Sequence, residues 1–243
     1  QASTLTAQWM GASNAWQALN SSDLSALARD LALDGDAGRA SRQQLSGLVE
    51  GRFLTSADAA KQMALEDWGR LAPGLASDLS TDSKNLWISK IRAAYADAAA
   101  IPNLTTSQIQ GLAGSLGALG DPNASTMLAD WVITSTNWQN AEVLQLSRIV
   151  GALDAQLPSG PASRKKILDY VEGSVLTDPA KISANGPVAW LGMYQAFAKE
   201  LTKEQRANWA SKVQGVYGNA ASFAAMDFRQ ADRTATLLSQ LAP

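Results

Sequence analysis

One pattern limits what this chain can fold into. The stretch Leu146-Ser147-Arg148-Ile149-Val150-Gly151-Ala152-Leu153-Asp154 has cousins at Ile88 to Tyr95, Leu112 to Leu119 and Trp190 to Phe197, with a fainter form at Leu27 to Leu33. In the four clearest copies a large apolar residue sits seven positions before a closing Tyr, Leu or Phe, a second lies three or four before it, and Ala immediately precedes it. That spacing puts the bulky groups on one face of a helix, with a small residue where a neighbouring helix comes close. Strict apolar/polar alternation rich in Val, Ile and Thr is absent, so the expectation is an all-α protein with little or no sheet.

The closing residues Tyr95, Leu119, Leu153 and Phe197 stand 24, 34 and 44 positions apart. Regular tetratricopeptide or ankyrin arrays hold a fixed short period, and this chain does not. Two further echoes support stacking of similar units: Leu65-Glu66-Asp67-Trp68 with Leu128-Ala129-Asp130-Trp131, and Trp9 through Trp16-Gln17 with Trp131 through Trp138-Gln139. The expected architecture is therefore stacked antiparallel helical hairpins, an irregular α-solenoid in the manner of HEAT or TPR proteins, with a non-repeating multi-helix bundle as the alternative. Residues 1–243 are expected to form a single all-α domain, and the Pro- and Gly-rich run Leu157-Pro158-Ser159-Gly160-Pro161 is the candidate hinge.

Local signals place the helices. Leu5 to Leu19 reads as an opening helix, Arg42 to Leu54 and Ala124 to Thr134 as later ones, and Pro73-Gly74 as the break after Trp68 and Leu71. Ser56, Thr105 or Thr106, and Asp178 followed by Pro179 read as N-terminal caps. Thr202 with Gln205 three residues on is a capping box. Asp34 and Asp36 sit in a Gly-containing turn, but Arg39, Ala40 and Ser41 follow where a calcium loop would continue its ligands, so a plain turn is expected.

Composition decides which functions are excluded. The chain has no Cys, hence no disulfide, thiolate nucleophile or cysteine-based metal site, and no His, hence no Ser-His-Asp or Cys-His chemistry. No metal and no cofactor are expected. The 20 basic and 22 acidic side chains give a net charge of −2 without a long run of either sign, which argues against nucleic acid and anionic membrane as partners. The largest basic cluster, Arg164-Lys165-Lys166, reads as a solvated helix face. No apolar run reaches the length of about 20 residues that a membrane span needs. A start at Gln1-Ala2-Ser3, few charges and many Ala, Ser, Thr and Gln residues fit a secreted or periplasmic protein after removal of a signal peptide.

The eight tryptophans carry the functional signal. Trp68, Trp87, Trp131, Trp190 and Trp209 fall at apolar helix positions and are expected in the core, with each indole N–H on a polar partner. Trp9, Trp16 and Trp138 flank turns or the N-terminal edge and are the candidates for ligand contact. Asp67, Asp130 and Asp227, each followed by an aromatic residue, could set carboxylates beside sugar-stacking rings, as glycoside hydrolysis requires. Adjacent helical residues diverge by about 100°, so solvent-facing Asp beside inward aromatics is the plainer explanation. A lyase with a Tyr base and an Arg neutraliser could draw on Tyr170, Tyr194 or Tyr217 and on Arg148 or Arg229. The leading expectation is an exported, non-enzymatic helical-repeat scaffold that binds a protein or polysaccharide partner. The alternative is a carbohydrate-active enzyme, hydrolase or lyase, or its helical domain.

Overall fold

A computed structural model describes residues 2–33, 38–97, 99–153, 159–218, 224 and 226–241. Every regular element among them is a helix, and no strand occurs. The α-helices are α1 (Ala2–Ala12), α2 (Ser21–Ala32), α3 (Arg39–Phe53), α4 (Ala57–Ala60), α5 (Leu65–Leu75), α6 (Thr81–Tyr95), α7 (Thr106–Ala118), α8 (Ala124–Thr134), α9 (Val143–Ala152), α10 (Gly160–Tyr170), α11 (Pro179–Phe197), α12 (Lys203–Tyr217) and α13 (Phe228–Leu241). Contacts divide the chain into two compact units, Gln1–Trp131 and Val132–Pro243, with the boundary inside α8.

The caps follow the side-chain chemistry. Ser56 accepts a hydrogen bond from Ala59 N, and Thr105 and Thr202 each close a capping box with Gln108 and Gln205. Three expected boundaries differ, the first being α3, which starts at Arg39 and not at Arg42. The opening helix stops at Ala12 and is followed by a 3-10 turn at Ala15–Ala18, and α5 runs through Pro73 to Leu75. A late proline is tolerated there because the helix is already ending. Leu157 and Pro158 of the hinge candidate, and the Asp34–Asp36 turn, lie outside the described residues, while Gly160 and Pro161 open α10.

In the first unit α5 lies between α2 and α7. Leu24, Leu31, Leu45, Val49, Trp68, Leu71, Trp87, Ile91, Leu112 and Leu116 form its core, all without exposed surface. Small residues permit the approach: Gly74 abuts the backbone of Ala28, and Gly69 abuts Gly111. A Cβ on Gly111 would lie 2.3 Å from the Leu65 carbonyl oxygen, whereas one on Gly114 of the same helix meets nothing within 4 Å. Gly111→Ala is therefore expected to lower stability by more than about 2 kcal/mol despite its better helix propensity, and Gly114→Ala to raise it by about 0.4–1 kcal/mol. Urea denaturation of the two variants checks this, and equal effects would contradict the close α5–α7 packing.

The second unit repeats this plan with α11 between α9 and α13. Each element has a counterpart 122 positions earlier: α8 matches α1, α12 matches α6, and α4 and α5 match the two halves of α11. The halves of α11 meet at Gly186, whose φ of 67° is open to glycine at little cost, in place of the break before Leu65. Hydrogen bonds follow the same register. Trp87 Nε1 donates to Glu50 and Trp209 Nε1 to Glu172 at 2.9 and 3.0 Å. Trp68 Nε1 donates to Ala60 O and Trp190 Nε1 to Ile182 O. Tyr95 and Tyr217 send their hydroxyls to carbonyls of the same two turns. Arg42 pairs with Asp78, and Arg164 with Glu200. The two indole pairs pack edge to face, with centroids 5.7 Å apart in one unit and 6.1 Å in the other.

Candidate functional site

The five tryptophans expected in the core are buried completely. Of the three expected near turns, Trp9 is 40% exposed, Trp16 is 5% exposed and Trp138 is fully buried. Neighbours, not register, separate Trp9 from its counterpart Trp131. The Trp131 indole donates to Leu104 O at 3.2 Å within the first unit, whereas Trp9 occupies the outer face of α1 beside the exposed Leu5.

Trp138 and Trp16 also hold the same register position, at the 3-10 turn after α8 and after α1, yet their surroundings differ. Trp138 Nε1 donates to Val132 O and Ser135 O at 3.1 and 2.9 Å. Two side chains of α10 complete its shell. The Tyr170 ring stands edge-on to it, centroids 5.2 Å apart, with its hydroxyl on Gln139 O at 2.6 Å. The Lys166 ammonium lies 5.6 Å from the Trp138 ring centroid and donates to Val132 O and Ile133 O at 3.0 and 2.9 Å.

The first unit carries Gln44 and Leu48 at the positions of Lys166 and Tyr170. Neither brings a ring or a cation, and space opens instead. A cleft of about 450 Å³ is lined by Met10, Gly11, Trp16, Gln17, Gln44 and Leu48, among others. All six are counterparts of residues in the Trp138 cluster. Trp16 Nε1 is buried and has no hydrogen-bond partner among the described residues. An unpaired buried donor costs about 1–3 kcal/mol. The site is therefore a cleft with an aromatic residue in its wall. The match of Trp9 through Gln17 with Trp131 through Gln139 gives the matched positions, while the cleft itself follows from Gln44 and Leu48.

A second groove, of about 340 Å³, lies in the other unit between Pro161, Arg164, Leu168, Phe197 and Glu200. Its charges are already engaged: Arg164 bonds Glu200 and the Ala196 carbonyl, and Lys165 bonds Asp169.

The carboxylate candidates do not converge on either cleft. Asp67 is buried, accepts the Ser21 hydroxyl at 2.7 Å and lies 3.6 Å from Arg70. Asp227 caps α13 by accepting from Gln230 N at 2.8 Å. Asp130 is exposed on α8. Each candidate tyrosine is tied to a carbonyl, Tyr170 to Gln139, Tyr194 to Gln240 and Tyr217 to Ile182. Burial pushes the Tyr217 hydroxyl above its ordinary pKa, the opposite of what a phenolate base needs. Among the described residues no group of His, Cys, Asp or Glu could hold a metal ion, and no helix is long and apolar enough to cross a membrane.

No protein-family model matches the chain, and searches of curated proteins and of solved structures give no significant match.

Proposed function

We propose that the protein is an exported, non-enzymatic binding module built from two copies of one helical unit, and that its partner engages the Trp16 cleft. The observation that carries the reading is the pairing of Trp16 with Trp138. One position in a shared framework is completed from within by Tyr170 and Lys166, and the other is left open. A concave site that joins apolar surface to a few convergent polar groups is the usual form of a binding site, and Met10, Trp16 and Leu48 here stand beside Asn14, Gln17 and Gln44. The shared 122-residue register of elements and of the Trp68/Trp190 and Trp87/Trp209 indole bonds supports duplication, with only one copy carrying the plug. Low charge and the lack of Cys support export, and the structural duties of Asp67 and Asp227 weigh against the carbohydrate-enzyme alternative.

A protein or polysaccharide partner would present an aromatic or cyclic group to Trp16. The test uses the indole N–H signals of ¹⁵N-labelled protein, one for each of the eight tryptophans, with that of Trp16 assigned through Trp16→Phe. Titration with a fragment and glycan library is expected to move the Trp16 signal and leave those of Trp87 and Trp209 in place. If every ligand that binds leaves Trp16 unmoved, the cleft is not the binding site. Recovery of the native chain only in the cytoplasmic fraction would overturn export.

A further inference from the structure

The filled cluster of the second unit shows what chemistry this framework accepts. Three features are satisfied there at once: a ring edge-on to the indole, a hydroxyl on the carbonyl of the following residue, and an ammonium shared between two carbonyls and the indole face. The counterparts of those three carbonyls are the backbone oxygens of Gln17, Met10 and Gly11, and all three residues line the cleft. The side chains that engage them in the second unit have no equivalent here, because Gln44 offers an amide where Lys166 offers a cation and Leu48 ends where the Tyr170 ring begins.

We propose that the Trp16 cleft binds a small phenolic amine, a compound in which one hydroxylated aromatic ring and one primary ammonium enter together in place of the absent Tyr and Lys side chains. The assignment rests on the reading of this cleft as the binding site and adds the ligand's chemical class. The ring packs edge-on to Trp16, where aromatic pairs are most favourable. The ammonium lies against the indole face and near the Met10 and Gly11 carbonyls, combining cation–π attraction with hydrogen bonding. The phenol hydroxyl reaches the Gln17 carbonyl. Neither charged side chains nor a metal is needed, which agrees with a cleft whose own side chains are neutral.

The experiment is a calorimetric titration of the full chain with tyramine, followed by phenethylamine, which lacks the hydroxyl, and p-cresol, which lacks the ammonium. Tyramine is expected to bind with a dissociation constant on the order of 1 mM or tighter, as its size allows. Phenethylamine and p-cresol are each expected to bind at least about ten-fold more weakly, the worth of one satisfied polar group. In Gln44→Lys/Leu48→Tyr the cleft is plugged from within and tyramine binding is lost, while the circular dichroism spectrum and thermal midpoint show that the fold is kept. The reciprocal Lys166→Gln/Tyr170→Leu variant is expected to gain a second equivalent of tyramine, a readout that does not depend on changing the first unit. Equal binding of p-cresol and tyramine, or tyramine binding that survives the plugging variant, overturns the ligand class. If other ligands shift the Trp16 signal and tyramine does not, the phenolic amine is wrong and the cleft assignment stands. If no ligand shifts it, both fall.

Discussion

Trp87→Ala is expected to cost about 3–5 kcal/mol of folding stability, the range for removal of a large buried aromatic side chain. The indole has no exposed surface, packs edge-on to Trp68 and donates to Glu50, so three contributions vanish together. Loss of area and creation of a cavity dominate. The edge-to-face contact adds about 0.5–1.5 kcal/mol, and the Glu50 carboxylate loses its donor. Trp209→Ala removes the same three contributions from the second unit, where Trp190 and Glu172 are the partners. The Glu172 carboxylate also accepts from Gln205 Nε2 at 3.0 Å, so it is left with a partner and the cost falls towards the lower end of that range. Trp9→Ala, by contrast, is expected to change stability by less than about 1 kcal/mol, because that indole is 40% exposed. Guanidinium titrations of the three variants give the comparison. A cost below about 1 kcal/mol for both Trp87→Ala and Trp209→Ala would mean that the indole pairs are not the centres of their units.

The helical class was legible because bulky apolar residues at seven-residue spacing with an adjacent Ala leave no other economical burial. Leu119, Leu153 and Phe197 are buried, and Tyr95 is half-buried with its hydroxyl bonded. Cap positions were legible for a similar reason, since Ser56, Thr105 and Thr202 act through their own neighbours in sequence. The long register was harder to see. The four closing residues differ by 24, 34 and 44 positions because they mix elements from inside one unit with elements of the next, and the apolar residues of a unit vary freely as long as volume is kept. The register is carried by residues with directional bonds: Trp68 and Trp190, Glu50 and Glu172, Trp87 and Trp209, Arg42 and Arg164. The candidate cleft could not be read from any single motif, because what marks it is the replacement of Lys166 and Tyr170 by Gln44 and Leu48. Trp16 stood out as a tryptophan beside a turn, while the reason it matters lies in two residues on α3 that bear no chemical signature of their own. Of the Asp-aromatic pairs, Asp67 turns to Ser21 and Arg70 inside its own unit, contacts that its place beside Trp68 in sequence does not announce.

Breaking the ion pair between Arg42 and Asp78 is expected to cost about 3–5 kcal/mol, because both side chains are almost fully buried, 6% and 5% exposed. Arg42 also donates to Leu31 O at 2.7 Å, so Arg42→Met takes a donor from the end of α2 and leaves Asp78 with only the Ser77 hydroxyl and the more exposed Arg39. The corresponding pair in the second unit is more open, with Glu200 38% exposed, and Glu200→Gln is expected to cost no more than about 1 kcal/mol. Acid separates the two further. The hydrogen bond from Arg42 holds the Asp78 carboxyl below its ordinary pKa, outweighing the opposing effect of burial. A lowered folded-state value means that the stabilisation is fully present above the unfolded carboxylate pKa of about 4 and is lost as pH falls through the lower folded-state value. The stability difference between the parent chain and Asp78→Asn is therefore expected to stay constant from neutral pH to about pH 5 and to shrink below about pH 4, where the parent's own carboxyl takes up the proton and comes to resemble the amide. Urea midpoints measured across that range decide it. A difference that grows on acidification would show that Asp78 is held protonated in the fold, and the Arg42 pairing would then be the wrong account of how α2, α3 and the end of α5 are tied together.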